Sequence, residues 1–144
     1  MRLHQLCGLS TVALLTIVNM GAALADPRGL WLAQDGAKVR VSSCGAGLCA
    51  TIASPKSRVD PATGGPWTDK NNPDPAKRGR PLVGVAVLSS MVPDGEGRWS
   101  GQLYNVDNGN SYSGRLREID GKTIRIEGCV LGICGGQNMS RIGP

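Results

Sequence analysis

The side chains of this 144-residue chain best suited to chemistry are its five cysteines, its single histidine and its eleven carboxylates. Four of the thiols fall into two pairs with one spacing, Cys44 with Cys49 and Cys129 with Cys134. In an exported chain such matched pairs read as disulfides, each stapling the neck of one hairpin. Closing so short a loop stabilises by about 2 kcal/mol in the chain-entropy picture, and it also fixes strand register. The alternative is a zinc centre with one knuckle from each pair. Exported thiols tend to be oxidised, and this spacing is at the long end for a knuckle. Counting free thiols in the exported protein separates the two.

Other reaction chemistry is narrowly bounded. The only histidine, His4, lies in an N-terminal leader, so the remainder of the chain has no imidazole for a Ser-His-Asp triad, a Cys-His dyad or a His-ligated zinc. No serine is followed three positions later by lysine, and the G-x-S-x-G, P-loop and G-x-G-x-x-G patterns are missing. The carboxylate pairs Asp94/Glu96 and Glu118/Asp120 flank hairpin glycines, where turn formation accounts for them. Asp69, Asn71 and Asp74 offer oxygen ligands to calcium, but their segment lacks the glycine and terminal glutamate of an EF-hand loop. Asx turns ahead of prolines explain the same residues. The sequence therefore calls for no catalytic residue, no cofactor and no metal.

The leader has Arg2 in a short basic start, an apolar stretch from Leu6 to Met20, and the small-residue exit Ala23-Leu24-Ala25 before Asp26. That is the pattern of a Sec-type signal peptide over residues 1–25, cleaved after Ala25, with the periplasm or the exterior as destination. Cys7 precedes the apolar run and leaves with the leader, so it is not a lipoprotein cysteine. Residues 26–144 then make one domain. Without Arg2 the net charge falls from +5 to +4, with basic residues scattered and few aromatics interleaved. Nucleic-acid binding is not expected from such a surface, although weak attraction to anionic envelope components is compatible with it.

The elements beyond the leader show a two-residue period. Val39 and Val41 alternate with Lys38 and Arg40; Trp99, Gly101 and Leu103 alternate with Arg98, Ser100 and Gln102. Tyr112, Gly114 and Leu116 follow the same rule, as do Ile124 and Ile126. Each segment has one dry and one wet face, as a half-buried antiparallel strand requires. The more uniformly apolar Val83–Leu88 predicts a central strand. Turns fall at Asp94-Gly95-Glu96-Gly97, Asp107-Asn108-Gly109 and Asp120-Gly121, where Asp-Gly and Asn-Gly supply positive φ. With Trp31 at the start and Met139 to Arg141 at the end, the count reaches about eight short strands in meander order. Eight strands can close into a small all-β barrel without exposed edges.

Residues 54–82 break this rhythm, holding six of the nine prolines and six basic residues. A loop of that length in a compact domain is usually functional or disordered.

These features resemble the bacterial family called domain of unknown function 2147, small exported lipocalin-like proteins. The resemblance rests on Gly29-Leu30-Trp31, on Val39 to Cys44 with Leu48-Cys49, and on Asp69 to Pro73 with Arg78 to Gly84. It continues through Trp99-Ser100-Gly101, Leu103 to Tyr112, Gly128 to Gly132 and a closing Arg141. It implies an eight-stranded antiparallel barrel in which Gly29, Trp31 and Arg141 close one end, the guanidinium over the indole. Met139 stands where an aromatic is expected, and Val106 where proline is common. The family brings no established activity.

Inward-facing Gly101, Gly114 and Gly128, with no phenylalanine anywhere, leave two readings of the interior. The glycines either let strands bend sharply or leave room for a small apolar or amphipathic ligand. In the second reading Trp67 and the long loop form a lid, and Trp99, Tyr104, Asn105 and Tyr112 line the pocket or its mouth. The leading expectation is thus a periplasmic binding barrel without catalysis. The alternatives are an envelope interaction module that uses the basic loop, and an enzyme that relies on carboxylates.

Overall fold

A computed structural model describes residues 26–144; the expected leader, with its cleavage point after Ala25, lies outside the described residues. Period-two patterning becomes eight strands: β1 (Gly29–Leu32), β2 (Lys38–Cys44), β3 (Gly47–Ser54), β4 (Ala86–Pro93), β5 (Arg98–Asn105), β6 (Asn110–Asp120), β7 (Thr123–Val130) and β8 (Ile133–Gly143). Every neighbouring pair is antiparallel, and β8 returns to β1 to close the barrel. One 3-10 turn, Pro75–Lys77, interrupts the long β3–β4 connection.

The meander gives the barrel two different ends. The β2–β3, β4–β5 and β6–β7 hairpins share one end with the start of β1, whereas the β1–β2, β5–β6 and β7–β8 turns share the other with the long loop. Alternation holds through the wall: Val39 and Val41, Leu48 and Ala50, Leu116, Ile124 and Ile126 point inward and are buried. They pack with Trp31, Leu88, Met91 and Met139 into a core that fills the first end.

The expected strand Val83–Leu88 is corrected. The strand begins at Ala86 and runs to Pro93, while Val83 is 57% exposed. Gly84 takes φ +89° and donates to the Ile52 carbonyl, and the Val85 amide donates back to the Leu82 carbonyl. This turn drives Leu82 and Val85 onto Ile52, so the apolar residues of the run serve a second cluster, and only part of them a strand.

The strand glycines form a belt across four strands. Gly101 faces Gly114, Gly114 faces Gly128, and Gly128 faces Gly135. The two halves of the belt differ. A Cβ on Gly101 would stand 2.6 Å from the Ser90 carbonyl oxygen, and one on Gly114 would stand 2.9 Å from the Gln102 carbonyl carbon. At Gly101 the cause is a register shift in β4 between Ser89 and Val92, with Ser90 in the left-handed region, which brings that strand's backbone over β5. Gly114 meets the β5 backbone itself at Gln102 and Leu103. At Gly135, by contrast, a Cβ would meet nothing within 4 Å.

Candidate functional site

The closed end is held by one cation–π contact. Trp31 is fully buried and donates its indole N–H to the Pro27 carbonyl at 2.9 Å. The Arg141 guanidinium lies 4.3 Å from the centre of its ring and donates to the carbonyls of Gly121, Arg28 and Asp26. Gly29 has φ +146°, and a Cβ there would stand 2.5 Å from an Arg141 nitrogen, so glycine is the residue that admits the guanidinium. Each of the three guanidinium nitrogens donates to a backbone carbonyl while the plane stacks on the ring, which is a locking arrangement.

The opposite end is hollow. A cavity of about 580 Å³ opens among the β1–β2, β5–β6 and β7–β8 turns. Val39, Ile126 and Met139 make its floor on top of the core, and Ile52, Val87 and Leu103 make its sides. Gly128 and Gly135 form part of the wall without contributing a side chain. The Tyr112 ring lies over Gly128, with its Cβ 3.3 Å from where a glycine Cβ would sit. Around the rim stand Tyr104, Asn105, Gln34 and Gln137, and the Gln34 amide donates to the Gln137 side-chain oxygen at 3.1 Å. Asp35 and Asp107 are the charged residues of the lining.

The five aromatic and polar positions singled out for the pocket are not all assembled there. Tyr104, Asn105 and Tyr112 border the cavity. Trp99 does not: it pairs with Pro93 and Leu116 at the closed end and lines a shallow groove beside Leu48. Trp67 is also displaced from the lining. Its indole packs on the Ile52, Leu82 and Val85 cluster, donates to the Ser57 hydroxyl at 3.1 Å, and has Lys56 and Lys70 ammonium groups 5.2 and 5.6 Å from its ring. The loop therefore buttresses one wall of the mouth through Ile52 and Val106, and its tryptophan faces away from the cavity.

The loop's own order comes from Asp69. This carboxylate is wholly buried and accepts from the Tyr104 hydroxyl at 2.6 Å, from Asn72 at 2.8 Å, and from two Arg80 nitrogens at 3.0 and 2.7 Å. Burial pushes its pKa up, but the hydrogen bonds from Tyr104, Asn72 and Arg80 and the arginine's charge outweigh that and hold it below the usual carboxylate value. The same contact, after desolvation, raises the Tyr104 hydroxyl to about 12. Both therefore stay in their neutral-pH forms, Asp69 ionised and Tyr104 protonated. Asn71 instead reaches the Val106 and Asp107 carbonyls, and Asp74 caps the 3-10 turn through the Ala76 amide. Asp69, Asn71 and Asp74 thus do not converge on one point, and no group of three or more His, Cys, Asp or Glu side chains among the described residues could hold a metal. A second buried carboxylate, Asp60, is bridged to Lys70 at 2.5 Å, and that hydrogen bond lowers its pKa.

The four cysteines pair as Cys44–Cys49 and Cys129–Cys134, one bridge at each end of the barrel. Cys129 and Cys134 are direct cross-strand partners. Cys44 stands opposite Gly47 and Cys49 opposite Ser42, so that bridge runs diagonally.

Residues 29–141 match the family described as "Uncharacterized protein conserved in bacteria (DUF2147)". The chain belongs to that family. No curated protein matches this DUF2147 member. Among solved structures it is similar to protein HP1028 from the human pathogen Helicobacter pylori, described as belonging to the lipocalin family, at 20% identity and a TM-score of 0.69 over 82% of this chain and 84% of that one. At that identity the likeness establishes the fold, a lipocalin-like barrel.

Proposed function

We propose that this DUF2147 barrel is an exported, non-catalytic carrier of a small neutral or cationic amphiphile. The observation that carries the reading is the cavity of about 580 Å³ at the open end, apolar in its floor and walls. Its volume falls in the usual range for sites that enclose a small molecule. Its charged residues are both acidic; Asp107 has Lys56 beside it at 3.9 Å, whereas Asp35 has no basic partner among the described residues. A carboxylate head group seated inside the mouth would therefore meet repulsion from Asp35 where an alcohol, amide or ammonium would not. Gln34, Asn105 and Gln137 add hydrogen-bonding side chains at the same level, while the Tyr104 hydroxyl is committed to Asp69. Export rests on the leader pattern of residues 1–25, and the two disulfides agree with an oxidising compartment. For catalysis the buried carboxylates are poorly suited: Asp69 and Asp60 are ionised partners of Arg80 and Lys70, and neither lines the cavity.

Gly135 supplies the test, because a leucine there has open cavity to enter and no backbone to displace. Titration with Nile red, a neutral lipophilic dye, should give saturable fluorescence with the native chain. Gly135→Leu should abolish that gain while the melting temperature holds. Native mass spectrometry of the exported protein should also find a retained molecule, displaced by a long-chain alcohol or alkylammonium more readily than by a fatty acid. Equal dye uptake by Gly135→Leu, or no uptake and no retained molecule, would rule the carrier out.

A further inference from the structure

The β7–β8 hairpin tip presents a second surface that the cavity does not explain. Val130, Leu131 and Ile133 are 52%, 97% and 78% exposed, an apolar cluster at the end of the hairpin, with the Cys129–Cys134 bridge directly beneath. Leu131 has φ +49° and Gly132 φ +80°, the paired positive angles of a tight hairpin turn, where asparagine or glycine costs least at the first position. A leucine there gains no packing in return, since it is almost wholly in water. Neither fold stability nor solubility accounts for that choice of residue.

The same end of the barrel carries the basic loop. Arg58, Lys77 and Arg78 are exposed on it; of its six basic residues, Lys70 and Arg80 are matched against the buried acids Asp60 and Asp69. Lys56 and Lys77 lie 3.9 and 3.8 Å from the exposed Asp107 and Asp74, and Arg58 and Arg78 have no acidic partner among the described residues. The loop begins at the β1–β2 turn, where the Lys56 carbonyl lies close to Gly36, and reaches the β5–β6 turn, where Asn71 is held by the Val106 and Asp107 carbonyls. It therefore borders the mouth on the β3–β4 side, with the tip on the far side across the cavity. An apolar wedge and a positive flank at one end match an interface with acyl chains below and anionic head groups above.

We infer that the open end docks on an anionic lipid surface, with Leu131 and Ile133 entering the acyl boundary and the basic loop meeting the head groups. The bridge keeps the tip rigid, so little conformational entropy is lost on insertion. Docking in this pose points the cavity mouth at the membrane.

Co-sedimentation of the exported full chain with vesicles tests the assignment. Vesicles of phosphatidylethanolamine with phosphatidylglycerol should bind it, vesicles of phosphatidylcholine alone should bind it weakly, and added sodium chloride should release it. Leu131→Asn with Ile133→Thr should weaken binding about tenfold or more without lowering the melting temperature, because asparagine suits the turn. Arg58→Gln with Lys77→Gln should weaken it several-fold and flatten the salt dependence. The Gly135→Leu chain should still sediment, so failure of the carrier reading leaves this one standing. Absence of binding to the anionic vesicles, or binding unchanged in the Leu131/Ile133 variant, overturns the inference. So does a dimer in ultracentrifugation that this variant makes monomeric, if vesicles are not bound.

Discussion

Asp69 is the residue on which the loop depends, and its chemistry was only half legible in the sequence. Its position among asparagines and prolines reads as a turn or a weak calcium ligand; what no spacing rule reveals is that Arg80, eleven residues on, folds back to it. Irregular chain has no period, so partners within it cannot be found by counting. Replacing Asp69 with asparagine keeps the shape but removes the charge from beneath Arg80 and two of the charge-assisted bonds, which should cost about 2–3 kcal/mol. The pH dependence carries a sign. Because the folded-state pKa lies below its unfolded value, Asp69 contributes its stability above the ordinary carboxylate range and loses it as pH falls through the lowered value. Thermal melts between about pH 5 and pH 2 should therefore fall more steeply for the native chain than for Asp69→Asn. Asp60, also lowered, should leave the variant with some residual slope. Superimposable slopes would mean that Asp69 titrates in the fold as it does in the unfolded chain.

At the level of strands, alternation carried most of the information. The inward positions of β2, β5, β6 and β7 are those that the two-residue period assigns, and the turns at Gly95, Gly109 and Gly121 fall between strands. The period fails where a run is apolar on both faces. Val83–Leu88 satisfies a buried strand and a hydrophobic turn equally, and Gly84 at φ +89° decides for the turn in its first half. The glycine belt was ambiguous for a different reason: a missing side chain records neither close approach nor vacancy, and the register is needed to tell them apart. Here it does both. Gly114→Ala forces a Cβ against the backbone of Gln102 and Leu103 and should destabilise by about 2–4 kcal/mol. Gly135→Ala meets open space and should be neutral or stabilising by up to about 1 kcal/mol, since alanine restricts the unfolded chain. Urea melts of the two single variants check the contrast. Equal losses would place Gly135 in a packed wall and remove the hollow end.

Over the whole molecule, the two ends divide the work of being a barrel and of having an interior. A closed meander must join its first strand to its last, and here the seam is weak in itself: β1 has four residues, and its pairing with β8 is broken by a shift between Leu30 and Trp31. Backbone ladder alone would leave that seam the first to open. Arg141 compensates at three levels of chain order, tying β8 to the β6–β7 turn through Gly121 and to the N-terminal arm through Arg28 and Asp26, while stacking on the indole of β1. With the seam pinned and the core gathered at that end, the opposite end can stay hollow without losing closure. The lock and the cavity are therefore separable. Arg141→Lys keeps the charge but not the planar fork, and lysine cannot reach three carbonyls and the ring together. It should lower stability by about 2–3 kcal/mol and raise hydrogen exchange in β1 and β8 well above that in β5 and β6, whose ladder is continuous over eight paired residues. Nile red uptake, measured below the variant's unfolding transition, should persist. Uniform acceleration of exchange around the barrel would show instead that the seam is no weaker than the rest of the wall, and that Arg141 contributes to global stability without any special part in closure.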